Sequence, residues 1–201
     1  MTGTDLEVEM IGRVEVEVEN PGEITVPARK LVDICKEISE DSAIQFSLRE
    51  SGLEISSGRF RSTLSTLDVS EFPSVNHADP LFSASIDGKA FKKLLDKTSF
   101  AMAHQDVRYF LNGMLVEFNE SHVRAVATDG HRLALSDLKQ DGLEGDSRQV
   151  ILPRKGVIEI QRLLHESEGN ISLTVGSSHL CAASSVYTSV SYTHLTLPTK
   201  A

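Results

Sequence analysis

The residues whose types could do chemistry gather in two short stretches. The first is Thr128-Asp129-Gly130-His131-Arg132-Leu133. Asp129 and His131 have the types of an orienting carboxylate and a general base, as a hydrolase would use them. A nucleophile motif of the Gly-x-Ser-x-Gly kind is absent from the sequence. Two other readings stay open at this point: a tight turn in which Asp and Gly supply the geometry, or a binding loop. The second stretch is His104-Gln105-Asp106-Val107-Arg108-Tyr109-Phe110-Leu111-Asn112-Gly113. Its Gln, Arg and Tyr can meet phosphates, or they can cap a helix and open a strand. The two cysteines, Cys35 and Cys181, are too few for a disulfide scaffold and lack metal-ligand spacing. Cys35 falls on the apolar side of a helical pattern and reads as core. No cofactor or metal site is expected.

These stretches need elements to hold them. Over Glu7–Glu19 the odd positions are charged except Ile11 and the even ones are apolar or Gly, the period of a half-buried strand. Asn20–Glu23 is a turn, and Ile24–Val26 a short strand. From Pro27, Leu31, Ile34, Cys35 and Ile38 recur at helical spacing, with proline favourable at the start. Strands are predicted at 44–49, 53–57 and 59–67, forming a meander through Ser-Gly turns. Residues 70–80 are polar with two prolines and read as a linker. Beyond it the pattern gives a strand at 81–86 and a helix from Asp87-Gly88 with Phe91, Leu94, Leu95, Thr98 and Met102 on one face. A strand pair at 109–118 and 122–128, a strand at 133–138 and a polar loop at 139–146 come next. Val150–Leu152 then leads into a helix over 154–166 and a strand over 171–175.

The chain repeats itself. Thr25-Val26-Pro27-Ala28-Arg29-Lys30 matches Ile151-Leu152-Pro153-Arg154-Lys155 at 153 − 27 = 126 residues, and Asp33 with Glu159 keeps that offset. Ile44 with Ile171 and Leu53 with Leu180 stand 127 apart, and Thr4 with Thr128 stands 124 apart. This is a duplicated unit. Its phase sets the expectation that the chain starts inside one repeat and stops before the next is finished.

Charge is uneven across these units. The 201 residues carry 20 Lys+Arg and 29 Asp+Glu, a net of −9. That total argues against a protein coating nucleic acid over its whole surface. Yet the helical segments are locally basic: +2 over 87–97, +1 over 28–38 and +1 over 153–166, while residues 1–19 sum to −5. If the helices share one surface, it is a weakly positive stripe able to hold phosphates without reading bases. Taken singly, such lysines are ordinary solvated charges. No run of about 18 apolar residues is present, so no membrane span is expected. No charged-then-apolar leader is visible, and a cytoplasmic setting is expected.

Several of these stretches resemble one family. Phe100–Met114, Val126–Ala134 and Pro153–Glu159, together with Thr2–Glu7 and Val26–Lys30, are similar to the bacterial DNA polymerase III beta subunits, the DNA sliding clamps. The resemblance implies an α+β chain of tandem clamp-type domains, with helices on the inner face of a ring and antiparallel sheets outside. It implies part of a first domain over 1–75 and most of a second over 76–180, truncated at both ends. Residues 181–201 depart from the pattern and are expected to be a non-native tail, with order failing near 181. The family is a non-catalytic processivity factor. Its implied partners are double-stranded DNA, the polymerase alpha subunit, the clamp loader, other proteins with clamp-binding motifs and a second subunit, with no membrane and no cofactor. Arg29, Gln105, Tyr109, Phe110 and Lys155 match family positions near DNA. Arg108, Leu111, Thr128, Gly130, His131, Arg132 and Leu133 match one side of a pocket for partner peptides.

Overall fold

A computed structural model describes residues 1–73, 80–140, 143, 147–166 and 168–193. The middle of the expected linker at 70–80, most of the loop at 139–146 and residues 194–201 of the expected tail lie outside the described residues. The chain divides into two units, one of Val16–Val75 and one of Met1–Glu15 with Asn76–Ala201.

In the unit of Val16–Val75, helix α1 (Ala28–Glu37) starts after Pro27, whose fixed dihedral suits a helix entry. Strands β3 (Gln45–Arg49), β4 (Gly52–Ser57) and β5 (Phe60–Leu64) form the expected antiparallel meander. Leu53, Ile55 and Leu64 make a small core against Val26, Leu31, Ile34 and Ile38 of the helical side. Thr25 meets Leu67 in a single antiparallel bridge, in place of a short strand at 24–26.

The larger unit holds two sheets. Strands β1 (Thr2–Thr4), β2 (Val8–Gly12), β6 (Phe82–Asp87), β11 (Asn170–Val175), β12 (His179–Ala183) and β13 (Tyr187–Tyr192) form a six-stranded antiparallel sheet ordered β1-β2-β13-β12-β11-β6. Strands β7 (Gly113–Asn119), β8 (His122–Thr128), β9 (Leu133–Lys139) and β10 (Arg148–Pro153) form an antiparallel sheet ordered β10-β7-β8-β9. Helices α2 (Gly88–Asp96) and α3 (Arg154–Glu166) pack on each other and on both sheets. Phe91, Leu94 and Leu95 of α2 meet Val157, Ile160, Leu163 and Leu164 of α3 in one core with Phe82, Met114, Phe118 and Leu173. The Asp87 carboxylate caps α2 by accepting from the Ala90 amide at 2.7 Å.

Five further expectations are corrected. The period-two run at 7–19 forms a strand only over Val8–Gly12; Val14, Val16 and Val18 are exposed with no strand partner. Within that strand Glu9 is buried together with its neighbour Val8, so the face expected to be wet and acidic is covered at this position. The helix from 87 ends at Asp96, and Thr98 and Met102 reach the core from a following turn of 3-10 helix at Ser99–Ala101. Tyr109–Asn112 is 3-10 helix and not the start of a strand, since the Leu111 amide donates to the Arg108 carbonyl at 2.8 Å. Order does not fail near 181: β12 and β13 continue the sheet to Tyr192. The repeat explains the last point. An offset of 127 carries the third meander strand, Phe60–Leu64, onto the positions where β13 begins.

Candidate functional site

The stretch 103–112 is a loop zipped at its neck. The Ala103 amide donates to the Leu111 carbonyl at 2.9 Å. The Asp106 amide donates to Asn112 Oδ1 at 2.8 Å, and Asn112 Nδ2 returns a bond to the Asp106 carbonyl at 2.9 Å. Gln105 stands at the bend with φ of 58°, a left-handed value that a non-glycine residue adopts only when its surroundings impose it. The Asp106 carboxylate then accepts three bonds from Arg108: its amide at 2.8 Å, Nε at 3.0 Å and Nη2 at 2.9 Å. The Arg108 side-chain bond, reinforced by its amide, holds the Asp106 carboxyl down at about 2, and Arg108 is raised in return.

The stretch 128–133 is the tight turn between β8 and β9. Asp129 Oδ1 accepts from the His131 and Arg132 amides, both at 3.0 Å, and Oδ2 accepts from Arg132 Nε at 2.9 Å. Thr128 Oγ1 donates to the Arg132 carbonyl at 2.7 Å and accepts from the Gly130 amide at 3.1 Å. The two backbone amides hold the Asp129 carboxyl at about 2. Asp129 is thus occupied in shaping the turn, and no bond joins it to the His131 ring among the hydrogen bonds of the described residues. The turn and binding readings survive, and the arrangement offers nothing a hydrolase would use. Among the described residues no three His, Cys, Asp or Glu gather as a metal site, and no helix is long and apolar enough to cross a membrane.

The two loops meet. A β-carbon on Gly130 would stand 3.1 Å from Arg108 Nη2 and 3.3 Å from Nη1, so the guanidinium lies over that backbone. On the other side Arg132 sits above the Phe100 ring, 5.6 Å from its centroid, within cation–π range. Leu133 and Leu135 project from β9 with 64% and 52% exposure, while Ala134 between them is buried. Two exposed leucines of β9 thus follow a turn that carries Arg132 and is overlain by Arg108, each arginine paired with its own aspartate. Of the expected pocket residues, Arg108, Thr128, Gly130, His131, Arg132 and Leu133 come together here. Leu111 is buried beneath the loop and supports it.

Of the residues expected near phosphate, Gln105, Tyr109 and Phe110 lie exposed on the zipped loop, the two rings edge-to-face at 6.3 Å. Lys155 lies in the first turn of α3 and ion-pairs with Asp5, with Glu7 Oε2 at 3.8 Å. Arg29 is exposed on α1, in the smaller unit. On α2, Lys89, Lys93 and Lys97 are exposed, whereas Lys92 is tied to Asp96 at 2.6 Å; on α3, Arg162 is tied to Glu159 at 2.7 Å.

Three members of the site escaped the sequence reading: Phe100, Asp106 and Asn112. Phe100 falls out of phase with the buried stripe of Phe91, Leu95, Thr98 and Met102, which marks it as an outward aromatic. Asp106 and Asn112 are turn-forming types six residues apart around Arg108, the composition of a side-chain-closed loop.

Comparison with known proteins shows the family. The family model for the N-terminal domain of the DNA polymerase III beta subunit matches residues 1–76, and that for its central domain matches residues 85–193. The beta sliding clamp of Pseudomonas aeruginosa is 49% identical over 189 residues, which are 94% of this chain and 52% of that protein. The Escherichia coli K12 beta sliding clamp is 43% identical over 183 residues, 90% of this chain and 50% of that protein. A crystal structure of the Pseudomonas aeruginosa DNA polymerase sliding clamp with ligand superposes with a TM-score of 0.90 at 47% identity, covering 100% of this chain and 54% of the other. Caulobacter crescentus pol III beta gives a TM-score of 0.89 at 31% identity, with 98% and 54% covered. The chain therefore spans about half the length of the relatives it matches. Matched over residues 1–76 and 85–193 by models of two domains of one subunit, and superposing along its whole length on a solved clamp, the chain belongs to the DNA polymerase III beta subunit family, the sliding clamps.

Proposed function

We propose that this chain serves as part of a processivity factor for the bacterial replicative polymerase: a sliding clamp that encircles duplex DNA and tethers proteins through a peptide-binding pocket. It performs no catalysis and requires no cofactor. The observation that carries this reading is the exposed pair Leu133 and Leu135 beside a turn that holds two internally neutralised arginines, Arg132 within it and Arg108 packed on its Gly130. Such a surface suits apolar peptide anchors with polar edges. Its partners are the polymerase alpha subunit, the clamp loader and other proteins with clamp-binding motifs, in the cytoplasm, with a second copy completing the ring. Gln105, Tyr109, Phe110, Lys155 and Arg29 are assigned to DNA, along with the exposed lysines of α2. Contacts of this kind neutralise phosphates without reading bases, which is what sliding requires, because strong base contacts would act as brakes.

The test is topological. A full-length clamp carrying this segment is loaded onto nicked circular DNA and the circle is then cut. Release on cutting is expected. Retention on DNA with open ends would show that contact, and not encirclement, holds the protein, and the reading would fail.

A further inference from the structure

We propose that Asp106 is a positioning residue of the partner-binding wall, acting by holding the Arg108 guanidinium over the backbone of Gly130. The inference rests on the reading of that wall as a surface for partner peptides. Three donors of a single arginine converge on the Asp106 carboxylate, which fixes both the backbone and the side chain of Arg108. The carboxylate is itself anchored, because Asn112 grips the Asp106 peptide from both its amide and its carbonyl. Rigidity thus passes from the neck of the loop, through Asp106, to the guanidinium. The guanidinium then spans to the other loop, where only the missing side chain of Gly130 leaves room for it.

The second clamp has a different reach. Asp129 takes amides and a guanidinium from its own turn and, through Arg132, reaches the Phe100 ring, which lies outside the 103–112 loop. The Asp106–Arg108 clamp is the one through which the two loops hold a common surface. A long arginine with half its side chain in solvent would otherwise sample many rotamers. A partner would then have to order it on binding. Asp106 touches no partner in this account; it prepares Arg108.

The test uses a full-length clamp carrying this segment and a fluorescein-labelled synthetic peptide bearing the clamp-binding motif of the polymerase alpha subunit. Asp106→Asn is expected to weaken the peptide about fivefold, the range of a partly exposed ion pair. Arg108→Ala is expected to cost at least as much, and the double variant no more than Arg108→Ala alone, because Asp106 acts through Arg108. Arg108→Lys keeps the charge and the amide donor but loses the fork, and is expected to match Asp106→Asn; it decides the matter if Asp106→Asn disturbs the loop. In the 201-residue chain, the Arg108 Nε–H signal is expected to be sharp and to broaden in Asp106→Asn. Wild-type affinity in both Asp106→Asn and Arg108→Lys, with Leu133→Ala still weakening the peptide, would overturn the positioning role and leave the wall standing. Additive losses in the double variant would also overturn it. If Leu133→Ala and Arg108→Ala have no effect either, the wall reading falls and the proposal falls with it.

Discussion

Arg108 and Gly130 occupy one place from two sides: the guanidinium lies 3.1 Å from where a β-carbon of residue 130 would stand. The two residues are 22 positions apart and belong to the loops that enter β7 and leave β8, which antiparallel pairing brings to the same open end of the hairpin. Their approach needs both the room left by glycine and its backbone, since Gly130 sits at φ of 89°.

Gly130→Ala meets both demands at once. A left-handed non-glycine residue costs roughly 1–2 kcal/mol, and the added methyl would push Arg108 aside. The expected outcome is an unfolding free energy in urea lower by that amount, together with weaker binding of the partner peptide. A stability change with unaltered peptide affinity would separate the backbone cost from the wall.

Much of this fold is legible in the sequence because local periodicity reports burial directly. The stripe of Phe91, Leu94 and Leu95 gives α2, and the repeat of Pro27 at Pro153 places α1 and α3. The period-two rule fails at Glu9, which is buried beside Val8 although the two side chains point to opposite faces of β2, so both faces are covered there. It fails again at Val14, Val16 and Val18, which alternate correctly but find no strand to pair with. The site was legible as two motifs. Antiparallel pairing of the predicted strands about Asn119–His122 brings the two motifs to one end of the hairpin, but the seat of the Arg108 guanidinium over Gly130 is a side-chain placement that no spacing encodes.

Asp106 and Asp129 are both held at about 2, below the ordinary carboxylate value of 3.8, by donors that bind only the charged form. A depressed folded-state value means that each contributes stability fully above the ordinary value and loses it as pH falls toward the folded one. Carboxyl carbon NMR is expected to show both titrating near 2. The His131 and Arg132 amide shifts should follow Asp129, and that of Arg108 should follow Asp106. Midpoints near 3.8 would mean that the clamps are open in solution.

The place of β13 is testable through α3. A β-carbon on Gly156 would collide with Ser191 Oγ and stand 2.7 Å from its Cβ, so helix and strand touch where the glycine has no side chain. Gly156→Ala is expected to destabilise the larger unit by about 1–3 kcal/mol, the cost of overpacking a filled interior. Ser191→Gly should restore most of the loss when combined with it. Additive effects in a double-mutant cycle of urea midpoints would place β13 away from the helix.

Lys155 joins the acidic N-terminal segment to the basic helix surface. It pairs with Asp5 and lies 3.8 Å from Glu7, so its charge is shared with the protein before any phosphate arrives. Phosphate contact must compete with these carboxylates, which weakens the grip at this point. Asp5→Asn with Glu7→Gln, in a full-length clamp carrying this segment, is therefore expected to raise affinity for short duplex DNA severalfold at low salt. Lys155→Ala is expected to lower it and to flatten the dependence of log affinity on log salt by about 0.9, the loss of a single phosphate contact. If Lys155→Ala leaves the salt slope unchanged, Lys155 makes no phosphate contact and the pairing with Asp5 is purely internal. If the slope flattens but the acidic double variant binds no better, the carboxylates orient the lysine toward DNA and do not compete for it.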